Sequence, residues 1–338
     1  MRRALVAIVF AIALALVAAV ACSGENYRRE AKPADKSEDI VVPNDPTEAA
    51  AALARVERAL RAPTTRRTEV ARLSREQQNA YRALGAHPQW LDDVVARLPA
   101  DVQSIVTANA QAGRDLEELG GEGRPPRALP DWQIVSPLAA ETLRAYYGEA
   151  EAASGIPWAY LASIHLVETR LGRIRGTSSA GAQGPMQFIP ATWARYGQGD
   201  INDNHDAILA AARFLQDNGG PGDMNRALFR YNNSNLYVAA VDSYAQLMLS
   251  DERAFLGYYG WQVYYATTDG TFVLPEGYPD EEALRITPSG DRPASTRSRP
   301  APRRDARPAR VELSTRATRL PCLLRAHGAA DGRVRTDR

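Results

Sequence analysis

The chain is poor in several residue types. Among 338 residues there are two cysteines, Cys22 and Cys322, too few for a disulfide framework. The four histidines are scattered and show no zinc-ligand spacing. Lysine occurs only at Lys32 and Lys36, so the positive charge is nearly all arginine. With the excess of alanine, that reads as gene base composition rather than function. The formal net charge is +1, which argues neither for nor against a nucleic-acid partner. There are no internal repeats of roughly 20–50 residues, which excludes a solenoid or array. What remains is ordinary for a globular protein: 45% hydrophobic and 24% charged, and long enough for one sizeable core with appendages.

The N-terminus is more specific. Arg2 and Arg3 precede an uninterrupted apolar run from Ala4 to Ala21, followed by Cys22-Ser23-Gly24. A basic start, an apolar stretch and small residues at the end describe an export signal. The run is also long enough to span a bilayer, so an uncleaved anchor competes with a cleaved signal. The ending VAAVAC (17–22) resembles a bacterial lipobox, which makes Cys22 the expected lipidated residue and leaves Cys322 without an intrachain partner. Lipoprotein, soluble secreted protein and uncleaved anchor all place the remainder outside the cytoplasm. A membrane-anchored lipoprotein of the cell envelope is the expectation.

Composition divides the rest. Residues 23–48 are polar and charged, a tether. Residues 49–119 read as a helical accessory region. The 3.6-residue period is clear in 49–61, 69–85 and 89–98, with Gly85 as a stop signal. This region shows no cluster of titratable residues, so it reads as a packing or spacer module, with a partner-binding arm as its rival. A Gly/Pro-rich linker (120–130) leads to a main domain over 131–280. Helices are predicted there at 137–153, 156–171, 190–196, 206–218, 223–231 and 236–249. Aromatic and β-branched residues flank Asp269-Gly270, a hairpin signal. The Arg/Pro/Ser/Ala-rich stretch 281–338 has few core-forming residues and reads as a disordered tail. The fold class is therefore mainly α, with one small C-terminal hairpin.

One residue stands out. In GIPWAYLASIHLVETRLG (155–172), Glu168 shares a helix face with Leu161, Ile164 and Leu171. Burial disfavours the charged form of a carboxyl, so such an acid keeps its proton towards neutral pH, as a general acid requires. The Gly- and Pro-rich stretch SSAGAQGPMQFIPATW (178–193) then forces a turn just beyond it. A structural pairing of Glu168 with Arg170 or His165 is the plainer reading.

The order of signals carries a resemblance. Glu168, Ser178, Gly181-Ala182, Gly184, Met186-Gln187, Pro190, Thr192 and Tyr231-Asn232 follow one another as in the soluble lytic transglycosylase catalytic domain, of the lysozyme-like superfamily. The run Glu168-Thr169-Arg170 is similar to the membrane-bound B-type branch. The resemblance covers roughly 137–250. It implies an α+β lysozyme-like fold and a peptidoglycan lytic transglycosylase, a lyase acting on glycan strands without a cofactor. Glu168 would be acid and then base on the bond between N-acetylmuramic acid and N-acetylglucosamine, giving a 1,6-anhydro product. Tyr231 would set its hydroxyl close to the Glu168 carboxyl and orient it. Ser178 and Gln187 would line the sugar cleft, Asn232 would support the Tyr231 turn, and Tyr237 would be a further cleft or packing residue. The expected partners are peptidoglycan and the membrane, with no nucleic acid.

Two alternatives stand beside this reading. A lysozyme-type hydrolase needs a second carboxylate, for which the candidates are Asp200, Asp203 and Asp206. A catalytically silent wall-binding lipoprotein needs no acid on an apolar face. Asp200, Asn202, Asn204 and Asp206 alternate as calcium-loop ligands do. His205 replaces the loop glycine and Ala211 the closing glutamate, so no metal is expected and Asn204 or Asp206 is read as a helix cap. Trp158, Trp193 and Trp261 are read as core residues rather than sugar platforms.

Overall fold

The computed structural model describes residues 42–121 and 125–286. The export signal, Cys22, most of the tether, Cys322 and all of the tail beyond 286 lie outside the described residues. Helices form where the pattern predicts them, and side-chain caps set several of the starts. Helix α1 (Pro46–Arg61) begins behind Asp45, whose carboxylate accepts the Glu48 N–H at 2.8 Å. Helix α2 is Arg67–Ala86, a 3₁₀ turn follows at Pro88–Trp90, and α3 (Leu91–Arg97) and α4 (Ala100–Gly120) complete the N-terminal set.

Next come a two-residue strand β1 (Gln133–Ile134), α5 (Ala140–Ser154), α6 (Trp158–Thr169) and β2 (Ile174–Arg175). Then follow α7 (Pro190–Tyr196), α8 (Asn204–Asp217), α9 (Met224–Tyr231), α10 (Asn235–Ser250) and α11 (Ala254–Tyr259). Strands β3 (Val263–Thr267), β4 (Gly270–Leu274) and β5 (Leu284–Arg285) end the described chain. β1 pairs with β2, and β3-β4-β5 form an antiparallel sheet in which Thr267 faces Gly270 across the hairpin turn. The architecture is the expected mainly α, lysozyme-like one.

Every residue of α6 is buried, so it is the axis of the core. A helix apolar all round has no solvent face and must be surrounded. α5, α8 and α10 pack around it.

Of the two readings of the N-terminal helices, packing module and spacer, the contacts favour packing, and two boundaries change. α4 packs along α10, and one continuous core joins Leu53, Leu84 and Val106 to Leu161, Ile164 and Tyr244. The consecutive buried residues Gln77, Gln78 and Asn79 of α2 each hold the segment that enters β3. Trp261 Nε1 donates to Gln77 Oε1 at 3.0 Å. The Gln262 N–H donates to Gln78 Oε1 at 2.7 Å, and Gln78 Nε2 returns a bond to the Gln262 carbonyl. Tyr264 Oη donates to Asn79 Oδ1 at 2.7 Å. The linker is likewise docked: Leu129 packs on the Trp132 cluster and the Pro126 carbonyl accepts the Thr268 N–H. Finally, β5 lies within the span assigned to the tail, because Leu284 and Arg285 pair with β4.

Candidate active site

Glu168 sits one residue from the end of α6 and is only 7% exposed. The helix stops abruptly because Arg170, Leu171 and Gly172 all take left-handed backbone angles. Burial raises the Glu168 carboxyl to about 8, and a hydrogen bond from Tyr237 opposes that rise. Tyr237 Oη donates to Glu168 Oε1 at 2.8 Å from the first turn of α10. The carboxyl is therefore protonated at neutral pH, and its partner is a neutral hydroxyl rather than a cation. Burial first, and Glu168 second, push the Tyr237 hydroxyl well above its ordinary value.

Tyr231 lies near enough to Glu168 for the carboxyl's charge to raise its hydroxyl pKa further, after burial, but its hydrogen bond goes elsewhere. Its hydroxyl donates to the Met186 carbonyl at 2.7 Å, and its ring lies parallel to that of Tyr237 with centroids 6.5 Å apart. The direct hydrogen bond to Glu168 belongs to Tyr237, expected only as a cleft or packing residue. His165 is not the partner of Glu168 either. It is buried, its Nδ1 bonds the Tyr147 hydroxyl at 2.8 Å, and burial lowers it to about 3, so it stays neutral.

The Gly-rich loop is fastened to this site at two carbonyls. Thr169 Oγ1 donates to the Pro185 carbonyl at 2.6 Å, and Tyr231 holds that of Met186. Gly184 has φ +73°, and a Cβ there would collide with the Ile201 carbonyl oxygen, so only glycine fits. Ser178 and Gln187 serve the loop itself. Ser178 Oγ accepts the Ala182 N–H at 3.0 Å, and Gln187 Nε2 donates to the Gly184 carbonyl at 2.9 Å. Asn232 ends α9, its N–H donating to the Leu228 carbonyl at 2.9 Å.

Two hollows flank β2. The first, of about 420 Å³, is lined by Glu168, Val167 and Arg170 together with Arg82, Tyr264 and Trp261 among others. The second, of about 510 Å³, is polar and runs past Arg175, Thr177, Gln183 and Gly184. Ile174 borders both. Ser178 and Gln187, expected in the cleft, line neither hollow, because their polar groups turn into their own loop. The tyrosines near the hairpin could be flagged from sequence as a cluster. The part played by α2 and α4 carried no local signal.

The loop aspartates are occupied. Asp203, not Asn204 or Asp206, caps α8, accepting the N–H groups of His205 and Asp206. Asp206 accepts the Asp200 N–H at 2.8 Å, and Asp200 accepts that of Asn202 at 2.9 Å. Asp203, His205 and Asp206 do bring ligand atoms within 4.8 Å of one another. In the Glu168 hollow the second carboxylate among the described residues is Glu117 of α4, not a loop aspartate. No helix among the described residues is long and apolar enough to cross a membrane.

Comparison with known proteins agrees with this geometry. Residues 145–247 match the family described as Transglycosylase SLT domain. Over 97 residues the chain is 35% identical to the membrane-bound lytic murein transglycosylase F of Thiobacillus denitrificans. That match covers 29% of this chain and 18% of the relative, so the chain spans under a fifth of the length of the relative it matches. No solved structure matches. The segment 145–247, with Glu168 near the end of its buried helix, is the part of the chain that is similar to the transglycosylase SLT domain family.

Proposed function

We propose that the protein is a peptidoglycan lytic transglycosylase acting outside the cytoplasm, with Glu168 as its one acid–base group. The observation that carries this is a buried carboxyl, protonated to about pH 8, held by Tyr237 at the edge of a hollow. Breaking a glycosidic bond requires an acid to protonate the leaving oxygen, and Glu168 is in the right form to do it.

Glu168 gives its proton to the oxygen joining N-acetylmuramic acid to the next N-acetylglucosamine, and the C1–O bond breaks. The resulting carboxylate, stabilised by the Tyr237 hydroxyl, takes the proton from the muramyl C6 hydroxyl. That oxygen bonds to C1, closing a 1,6-anhydro ring. The proton count returns to its start and no water is consumed. An attacking group already attached to the substrate removes the need for a second carboxylate to activate water. Tyr231 contributes by holding the Met186 carbonyl, and through it the loop that carries Ser178 and Gln187. Asn232 supports the same turn.

Membrane attachment through a lipidated Cys22 completes the reading. A Cys22→Ala protein is expected in the soluble fraction.

Mass spectrometry of the sugars released from purified peptidoglycan by the whole chain tests the chemistry. Anhydromuropeptides are expected. Reducing-end products, one water heavier, would overturn the transglycosylase in favour of a hydrolase and direct attention to Glu117. Binding without release would leave a wall-binding protein.

A further inference from the structure

The hollow beside Glu168 is only partly built by residues 145–247. Much of its lining comes from α2, α4 and β3, all outside that segment. Its charged lining is Arg82, Arg114, Glu117, Glu168 and Arg170. With Glu168 protonated to about pH 8, three guanidinium groups face one carboxylate at neutrality. A concave site of that balance attracts anions.

The arginines are placed by the fold. The Arg82 guanidinium lies 3.8 Å from the centroid of the Tyr264 ring, which fixes its plane between α2 and β3. Burial lowers its pKa, and Tyr264 and Glu117 oppose that, so its charge is incompletely solvated. Arg114, one turn before Glu117 on α4, makes one long bond, at 3.4 Å, to the Pro88 carbonyl. A planar guanidinium at the wall of a hollow suits a carboxylate. Neutral sugar hydroxyls would not require this surplus of charge.

We propose that α2 and α4 form a carboxylate subsite, in which Arg82 and Arg114 receive an anionic group of the same substrate molecule on which Glu168 acts. This rests on the peptidoglycan reading above, and deepens it. Two groups on the strand supply the chemistry: the lactyl carboxylate of a muramyl unit and the carboxylates of a peptide stem. The N-terminal helices would then select which muramyl residues reach Glu168.

The test is calorimetric binding to the full chain carrying Glu168→Gln, which does not turn over. Three probes are compared at low salt: a chito-oligosaccharide without carboxylates, a peptide-free GlcNAc–MurNAc oligosaccharide, and the same sugar with tetrapeptide stems. At least one carboxylate-bearing probe is expected to bind about ten-fold more tightly than the chito-oligosaccharide. A gain already present without peptide assigns the lactyl group; a gain appearing only with the stems assigns the stem. Added salt should shrink the gain, and the double substitution Arg82→Gln, Arg114→Gln should remove it.

Because Arg82 also braces Tyr264, two further variants separate charge from packing. Arg82→Lys keeps the charge and should retain much of the gain. Arg114→Gln, away from that stack, should lose part of it. Equal affinity for all three probes, or a gain that survives the double substitution, overturns the proposal. Turnover of intact peptidoglycan by the unsubstituted chain is followed in parallel. Turnover without carboxylate preference sinks the subsite alone. Arginine-dependent carboxylate binding without turnover sinks the enzymatic reading alone.

Discussion

Tyr237 and Glu168 are joined by a 2.8 Å hydrogen bond although 69 residues separate them in the chain. The bond stabilises the ionised carboxyl, and so acts against burial in setting the acidity of the site. Replacing Tyr237 by Phe removes that opposition. Turnover is expected to fall roughly ten- to a hundred-fold, since a charge-assisted hydrogen bond contributes about 1.5–3 kcal/mol. The alkaline limb of the pH–rate profile should move above its unsubstituted position near 8, because the carboxyl then holds its proton more tightly. A limb that stays or moves down would detach Tyr237 from the acid.

Glu168→Gln keeps the shape and removes the proton. A loss of roughly ten-thousand-fold in turnover is expected, the upper range for general acid–base catalysis, because one group acts in both proton transfers. Stability gives a second check. The folded carboxyl is raised above its unfolded value, so between about 4.5 and 8 the native state binds more protons than the unfolded chain. Stability from this group is full below the lower value and drains away as pH rises towards 8. Urea titrations of both proteins at pH 5 and pH 8 should therefore show the Gln variant gaining on the parent with rising pH. Parallel behaviour would mean that the carboxyl is not raised.

Tyr231→Phe distinguishes a positioning residue from one that touches the acid. Its hydroxyl holds the carbonyl of Met186, whose side chain is fully buried. Leaving that carbonyl without a donor should cost about 1–2 kcal/mol of stability. Turnover should fall by less than for Tyr237→Phe, and the alkaline limb should shift less. A pH profile shifted as far as that of the Tyr237 variant would give Tyr231 the direct role after all.

These contrasts mark what the sequence makes legible. Glu168 is visible because its helix is apolar around it and the turn follows at once, both local patterns. Gly184 is visible only as one of the turn-forming residues of a Gly- and Pro-rich stretch; the Ile201 carbonyl it makes room for is not. Tyr237 is not visible as the partner of Glu168. The choice between Tyr231 and Tyr237 depends on how α10 packs against α6, and the phase of one helix against another leaves no mark in either. Ser178 and Gln187 satisfy their own loop for a related reason: short polar side chains in turns compete for nearby backbone groups. The polar triplet Gln77-Gln78-Asn79 reads as solvent-facing helix surface, yet it is buried because backbone and side chains from Trp261 to Tyr264 complete its hydrogen bonds.

That triplet, and the packing of α4 on α10, make the N-terminal helices part of the folding unit. A fragment starting at residue 131 would lose the partners of Trp261, Gln262 and Tyr264 on α2, and the Asn109 Oδ1 that accepts the Tyr258 hydroxyl at 2.7 Å. Each of those hydrogen bonds, exchanged for one to water, contributes about 0.5–1.5 kcal/mol. The apolar flank of α10 that α4 covers would also meet water. Those losses together rival the whole stability of an ordinary domain, about 5–15 kcal/mol. The fragment 131–286 is therefore expected to show weak near-ultraviolet dichroism and a broad, non-cooperative urea transition, whereas the chain from 42 onward unfolds in one sharp step. A sharp transition and native aromatic signals in the shorter fragment would restore the helices to the status of an appended module. It would also remove α2 and α4 from the wall of the active site.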